Sequence, residues 1–206
     1  MDTMTVDKVF NDYPEMTTED YKKMLDKIGV VYEKMPDAIL VGGIALRVWA
    51  DTRGLKIPAN YGNDFDVAKP NQESYEVDKS TTAGWIDIFP PKWPTKEPFF
   101  TKIEYQGREV YLATIEHLLA MKMMSIQDLY KKYGKMMKKD VIYFQLLRSM
   151  VSDDGWGRYI EAIKNERPDL TDSVIEITAI EINSIVKDCI ENGKLSDAVH
   201  PNPEDI

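Results

Sequence analysis

Two aspartates flank a phenylalanine in NDFDVA (63–68), and a further acid stands in GWIDIF (84–89). In a strand, residues i and i+2 share a face. Asp64 and Asp66 therefore stand side by side, while Phe65 and Val67 turn toward a core. Neighbouring carboxylates repel, and a divalent cation is the usual means of offsetting that repulsion. With Asp87 from a neighbouring strand, the acids could hold two Mg²⁺ ions, the arrangement that stabilises attacking and leaving oxygens in phosphoryl transfer. Asp87 could instead take the proton of an attacking hydroxyl. Glu73, Glu76 and Asp78 are alternatives for the third acid.

Upstream, DAILVGG reads as a short apolar strand running into Gly42 and Gly43, and IALRVWADTRG as a helix ending near Gly54. Glycines at a strand-to-helix turn let a phosphate approach exposed N–H groups, and the helix N-terminus favours that anion. LKIPANYGN is a loop by its Pro, Gly and Asn content. FFTKIEY and REVYLA flank Gln106-Gly107 and read as a hairpin. Before this region, residues 17–35 have an apolar stripe at helical spacing, with Thr17 as N-cap. From Thr114 onward the chain reads as helices: TIEHLLAMKMMSIQDLY, MKKDVIYFQLLRSMV, GWGRYIEAIKNE, and a last helix with Ser173 and Glu176 at capping-box spacing. The expected fold is α/β (α+β), a small mixed sheet with flanking helices over 1–112 and a helical half over 113–206.

The chain has 206 residues and a formal net charge of −9, so a broad basic surface for duplex DNA is not expected. Lys131, Lys132, Lys135, Lys138 and Lys139 form a basic island, read equally as a solvated helix end or as an attractor for triphosphate or RNA. The single cysteine, Cys189, excludes an internal disulfide and fits a reducing, cytoplasmic setting. The N-terminus lacks the basic-then-apolar pattern of a secretion signal, and no apolar run suits a membrane span. His117 and His200 do not suggest a zinc site; metal ligands would be oxygens. Trp49, Trp85, Trp93 and Trp156 read as packing residues, with Trp93 a possible base-stacking residue in its proline-rich loop.

VGGIAL, then DFDV, then WIDIF resembles the polymerase-beta-like nucleotidyltransferase superfamily. IEHLLAMKM and KKDVIYFQLL are similar to the helical half of the abortive-infection nucleotidyltransferase toxins of toxin–antitoxin systems. The resemblance covers roughly residues 37–150 and implies a Mg²⁺-dependent transfer of a nucleoside monophosphate from a nucleoside triphosphate to an acceptor hydroxyl, releasing pyrophosphate. It implies that Gly42 and Gly43 cradle the triphosphate and that Asp64 and Asp66 bind the metals. Asp87 completes the metal site or acts as base, Lys122 and Lys139 lie near the phosphates, and Asp140 is a polar residue of open role. RNA (particularly a tRNA 3′ end) or a protein is the favoured acceptor, a small hydroxylated molecule such as an aminoglycoside the other, and a cognate antitoxin is a possible partner. A second reading from another class is a non-catalytic module of the same fold, binding or regulating within a toxin–antitoxin or phage-defence pair.

Overall fold

The computed structural model describes residues 14–57, 59, 65–80, 85–91, 94–166 and 176–196. Asp64, Trp93, Ser173 and His200 lie outside the described residues. The elements run α1 (Thr18–Lys34), β1 (Ile39–Leu40), α2 (Gly42–Thr52), β2 (Asp66–Ala68), β3 (Glu76–Asp78), β4 (Ile86–Phe89), β5 (Phe100–Tyr105), β6 (Arg108–Ala113), α3 (Ile115–Tyr133), β7 (Met136–Met137), α4 (Lys138–Met150), α5 (Asp153–Glu166), α6 (Glu176–Glu191) and β8 (Leu195–Ser196). The expected α+β class is what the chain adopts.

These residues group into two compact units, one up to Leu118 and one from Leu119 on. The first holds a six-stranded mixed sheet in the order β3-β4-β2-β1-β6-β5. β1 runs antiparallel to β2 and parallel to β6; β2 runs parallel to β4; the outer pairs β3-β4 and β5-β6 are antiparallel. The β5-β6 hairpin turns at Gln106 and Gly107, both at positive φ (50° and 72°), the two-residue geometry whose twist matches the strands.

Local chemistry sets the helix starts. Thr17 and Asp20 close a reciprocal capping box on α1: each backbone N–H reaches the other's side chain at 3.1 Å. α1 buries Met24, Ile28 and Val31, and Tyr32 bonds the β6 backbone, accepting from the Tyr111 N–H at 2.7 Å and donating to the Tyr111 carbonyl at 3.0 Å. Thr114 accepts the His117 N–H at 3.3 Å at the start of α3. His117 is buried edge-on to Phe99 and Phe100, and burial pulls its pKa down to about 4.

In the second unit, Ile126, Val141, Ile142, Phe144, Leu147, Tyr159, Ile163, Ile182 and Val186 form the core, and β7 pairs parallel with β8. Asp188 accepts from Lys194, Tyr130 and Asn192 at the end of α6, which holds its carboxyl down at about 2. No helix among the described residues is long and apolar enough to cross a membrane.

Candidate functional site

The site is built on the β2-β4 pair. These strands run parallel with Asp66 opposite Asp87, Val67 opposite Ile88 and Ala68 opposite Phe89. Flanking hydrogen bonds hold the register: the Val41 N–H donates to the Asp66 carbonyl at 3.1 Å, and the Asp87 N–H to the Phe65 carbonyl at 3.0 Å. Alternation does the rest. Phe65, Val67, Ile86 and Ile88 are buried, so the half-buried Asp66 and Asp87 share the other face. Strand spacing sets their backbones about 5 Å apart. Twenty residues lie between them in the chain, yet the register sets them side by side. The Tyr75 hydroxyl donates to Asp87 Oδ1 at 2.7 Å.

Two of the competing acids, Glu76 and Asp78, fall elsewhere. In the antiparallel β3-β4 register, Glu76 opposes Ile88 and Asp78 opposes Ile86, whereas Val77 opposes Asp87. Cross-strand partners share a face, so Glu76 and Asp78 point away from Asp66. Asp78 is held there by Lys34 at 3.4 Å and by the Ser80 hydroxyl and N–H at 2.6 and 2.8 Å.

The glycine turn abuts the same carboxylate. Gly42 has φ +57°, and a Cβ built on it would run into the Asp66 carboxylate, with Cγ at 3.0 Å and Cβ at 3.1 Å. Only glycine combines this backbone with this approach. Gly42 opens α2, whose N-cap Val41 makes no side-chain capping bond and whose first turn carries no acid. The first amides of an 11-residue helix thus start beside the acidic pair with no side-chain cap from Val41, and such amides attract anions. One sheet face therefore juxtaposes groups suited to a cation with groups suited to a phosphate.

Lys122, Lys139 and Asp140 belong to the second unit. The Lys122 ammonium meets Asp140 Oδ1 at 2.8 Å and lies 5.5 Å from the Tyr143 ring centroid. Asp140 is 1% exposed, and its Oδ2 has no hydrogen-bond partner among the described residues. Lys139 is half-buried in the first turn of α4, while Lys131, Lys132 and Lys135 are exposed. Among the described residues, no three His, Cys, Asp or Glu side chains gather as a metal cluster.

Tyr75 and Lys79 belong to no motif in the sequence, where Trp85 reads as a packing residue. Trp49 does pack, donating to the Ala113 carbonyl at 2.8 Å, and Trp156 stacks on Tyr159 at 5.6 Å. Trp85 does not: it is 52% exposed, with the Lys79 ammonium 5.0 Å from its ring. The signal was the period-two alternation of Trp85, Asp87 and Phe89, which sets both aromatics on the acid's face.

Among solved structures, the chain is similar to an antigenic nucleotidyltransferase-like protein from Paracoccidioides brasiliensis, at 13% identity and a TM-score of 0.43, over 84% of this chain and 95% of that one. It is also similar to the antibiotic-resistance factor ANT(2'')-Ia, at 12% identity and a TM-score of 0.48, over 89% of this chain and 98% of that one. No protein-family model matches the chain, and no curated protein matches it.

Proposed function

We propose that this chain is a nucleotidyltransferase, moving a nucleoside monophosphate from a nucleoside triphosphate to an acceptor hydroxyl with release of pyrophosphate. One observation carries the reading: Asp66 and Asp87 stand in register on one sheet face, with the backbone of Gly42 against Asp66 at the start of α2. Each part of the triphosphate has a counterpart. The amides of Gly42, Gly43 and the first turn of α2 bind the β- and γ-phosphates, where the helix dipole and first-turn N–H groups favour negative charge. Asp66 and Asp87 are hard oxygen donors on a shared face, a donor set that fits Mg²⁺, and Asp64 joins them in this reading. A bound Mg²⁺ supplies neutralisation of the charge on the transferring phosphoryl group. In this reading Asp87 also accepts the acceptor's hydroxyl proton, while Tyr75 donates to its Oδ1 and so orients the carboxylate.

The test is transfer of label from α-³²P nucleoside triphosphates to total RNA or cell lysate with Mg²⁺ or Mn²⁺. Asp66→Asn and Asp87→Asn keep the shape and remove the charge, and each is expected to cut transfer by about 100-fold or more, the scale on which a preorganised charge contributes. Absence of transfer by the wild-type chain, or full transfer by either variant, would overturn the assignment.

A further inference from the structure

The face that carries Asp66 and Asp87 also carries three exposed aromatic rings. The β3-β4 register, extended one step at each end, sets Tyr75 opposite Phe89 and Lys79 opposite Trp85, with Val77 and Asp87 between. The contacts agree. The Tyr75 and Phe89 ring centroids are 5.2 Å apart, and the Lys79 ammonium lies 5.0 Å from the Trp85 ring. Tyr75 is 56% exposed, Trp85 52% and Phe89 37%. The core lies on the opposite face, where Ile86 and Ile88 are buried, so packing does not explain these rings. Trp85 and Phe89 each stand two residues from Asp87, roughly 7 Å along the strand in opposite directions.

Sheet order gives this shelf a direction. From the edge inward come β3, β4, β2 and β1, and α2 follows β1. The aromatic shelf, the carboxylates and the glycine turn are therefore met in that order. In phosphoryl transfer the attacking and leaving oxygens lie roughly in line on opposite sides of phosphorus. With the leaving pyrophosphate at Gly42, the attacking hydroxyl approaches from β3 and β4. We propose that Tyr75, Phe89 and Trp85 form the acceptor platform, and that the acceptor is the 3′ end of a single-stranded RNA. This rests on the transferase reading above. Two ring platforms flanking Asp87 suit the terminal base and its neighbour, because stacking on aromatic side chains is the general means of holding unpaired bases. Lys79, beside Trp85, supplies the cation that a phosphate linkage requires. A peptide hydroxyl offers no flat face to use such a shelf.

The experiment uses a 5′-fluorescein oligoribonucleotide with an unpaired, 3′-deoxy terminus, so that it binds without reacting. Its anisotropy is titrated with the wild-type chain, Phe89→Ala, Trp85→Ala and Tyr111→Ala. Tyr111 is the control, an exposed ring with the Lys102 ammonium 5.3 Å away but on β6. Binding of an α,β-methylene triphosphate with Mg²⁺ is measured on the same proteins and on Asp66→Asn. Phe89→Ala and Trp85→Ala should each weaken the oligonucleotide by about 5- to 150-fold, the range for loss of one stacked base, and leave the triphosphate within about twofold. Tyr111→Ala should change neither. Equal oligonucleotide binding by all four proteins overturns the platform, as does no binding by the wild type. A parallel loss of triphosphate affinity reassigns the shelf to the donor's base. In the label-transfer assay, dependence on Trp85 of protein labelling rather than RNA labelling reassigns it to a protein acceptor. Failure of the transferase reading shows separately, as triphosphate binding that is absent or indifferent to Asp66→Asn.

Discussion

At Gly42 the backbone turns left-handed, and the space that a Cβ would need is filled by the Asp66 carboxylate. In the sequence Gly42 and Gly43 are interchangeable letters. In the structure only Gly42 has positive φ. Gly42→Ala meets two penalties: about 1–2 kcal/mol for an L-residue held left-handed, and displacement of a carboxylate on which the proposed chemistry depends. The expected outcome is a melting temperature lower by a few degrees, read by calorimetry, with label transfer reduced about as far as in Asp66→Asn. A variant that melts lower yet transfers normally would show that the close approach serves the turn alone. Trp85 shows the opposite limit of reading by letters. Tryptophan is mostly buried in proteins, so exposure at 85 could be inferred only from its alternation with Asp87.

Elements with strong patterns were legible before any coordinates. The apolar stripe and cap gave α1, and the 3.6-residue period gave α3, α4 and α5. The dipeptide Gln106-Gly107 gave the β5-β6 hairpin. β3 was not legible. Glu76-Val77-Asp78 has two acids in three residues and a weak strand preference; it becomes a strand because β4 offers an edge, and charged side chains are common on such edges. β7 and β8, two residues each, exist only through each other. The Lys122-Asp140 pair also links elements: it ties α3 to α4 around a carboxylate that is 1% exposed. Lys122→Met leaves that carboxylate buried without its cation, and breaking such a pair from one side costs about 3–5 kcal/mol. Urea unfolding should show that loss, and Lys122→Met with Asp140→Leu should recover most of it, since removing both charges abolishes the unpaired burial. If the single variant unfolds at the wild-type midpoint, the pair is not structural.

For the whole molecule, acid is the revealing stress. His117 is buried, and its pKa is about 4, against an ordinary value near 6.5. Between these values the unfolded chain binds a proton that the folded chain refuses, so stability falls as pH falls. The contribution is fully present above about pH 6.5 and is lost progressively toward pH 4, to a total of about 3 kcal/mol. Denaturant midpoints from pH 7 to pH 4 should decline in the wild type and decline less in His117→Phe, which keeps an aromatic ring beside Phe99 and Phe100. Equal slopes for the two proteins would exclude His117 as the source. The parallel pairing of Asp66 with Asp87 bears on how such a chain can change length over time. A residue gained within β2 or β4 would rotate isoleucine or valine into an acid's place and turn the acid inward. A residue gained in the turn at 69–72, where the Gln72 N–H closes back on the Lys69 carbonyl, would leave both where they are. Relatives that keep this chemistry should therefore vary freely in that turn and keep both strands at constant length.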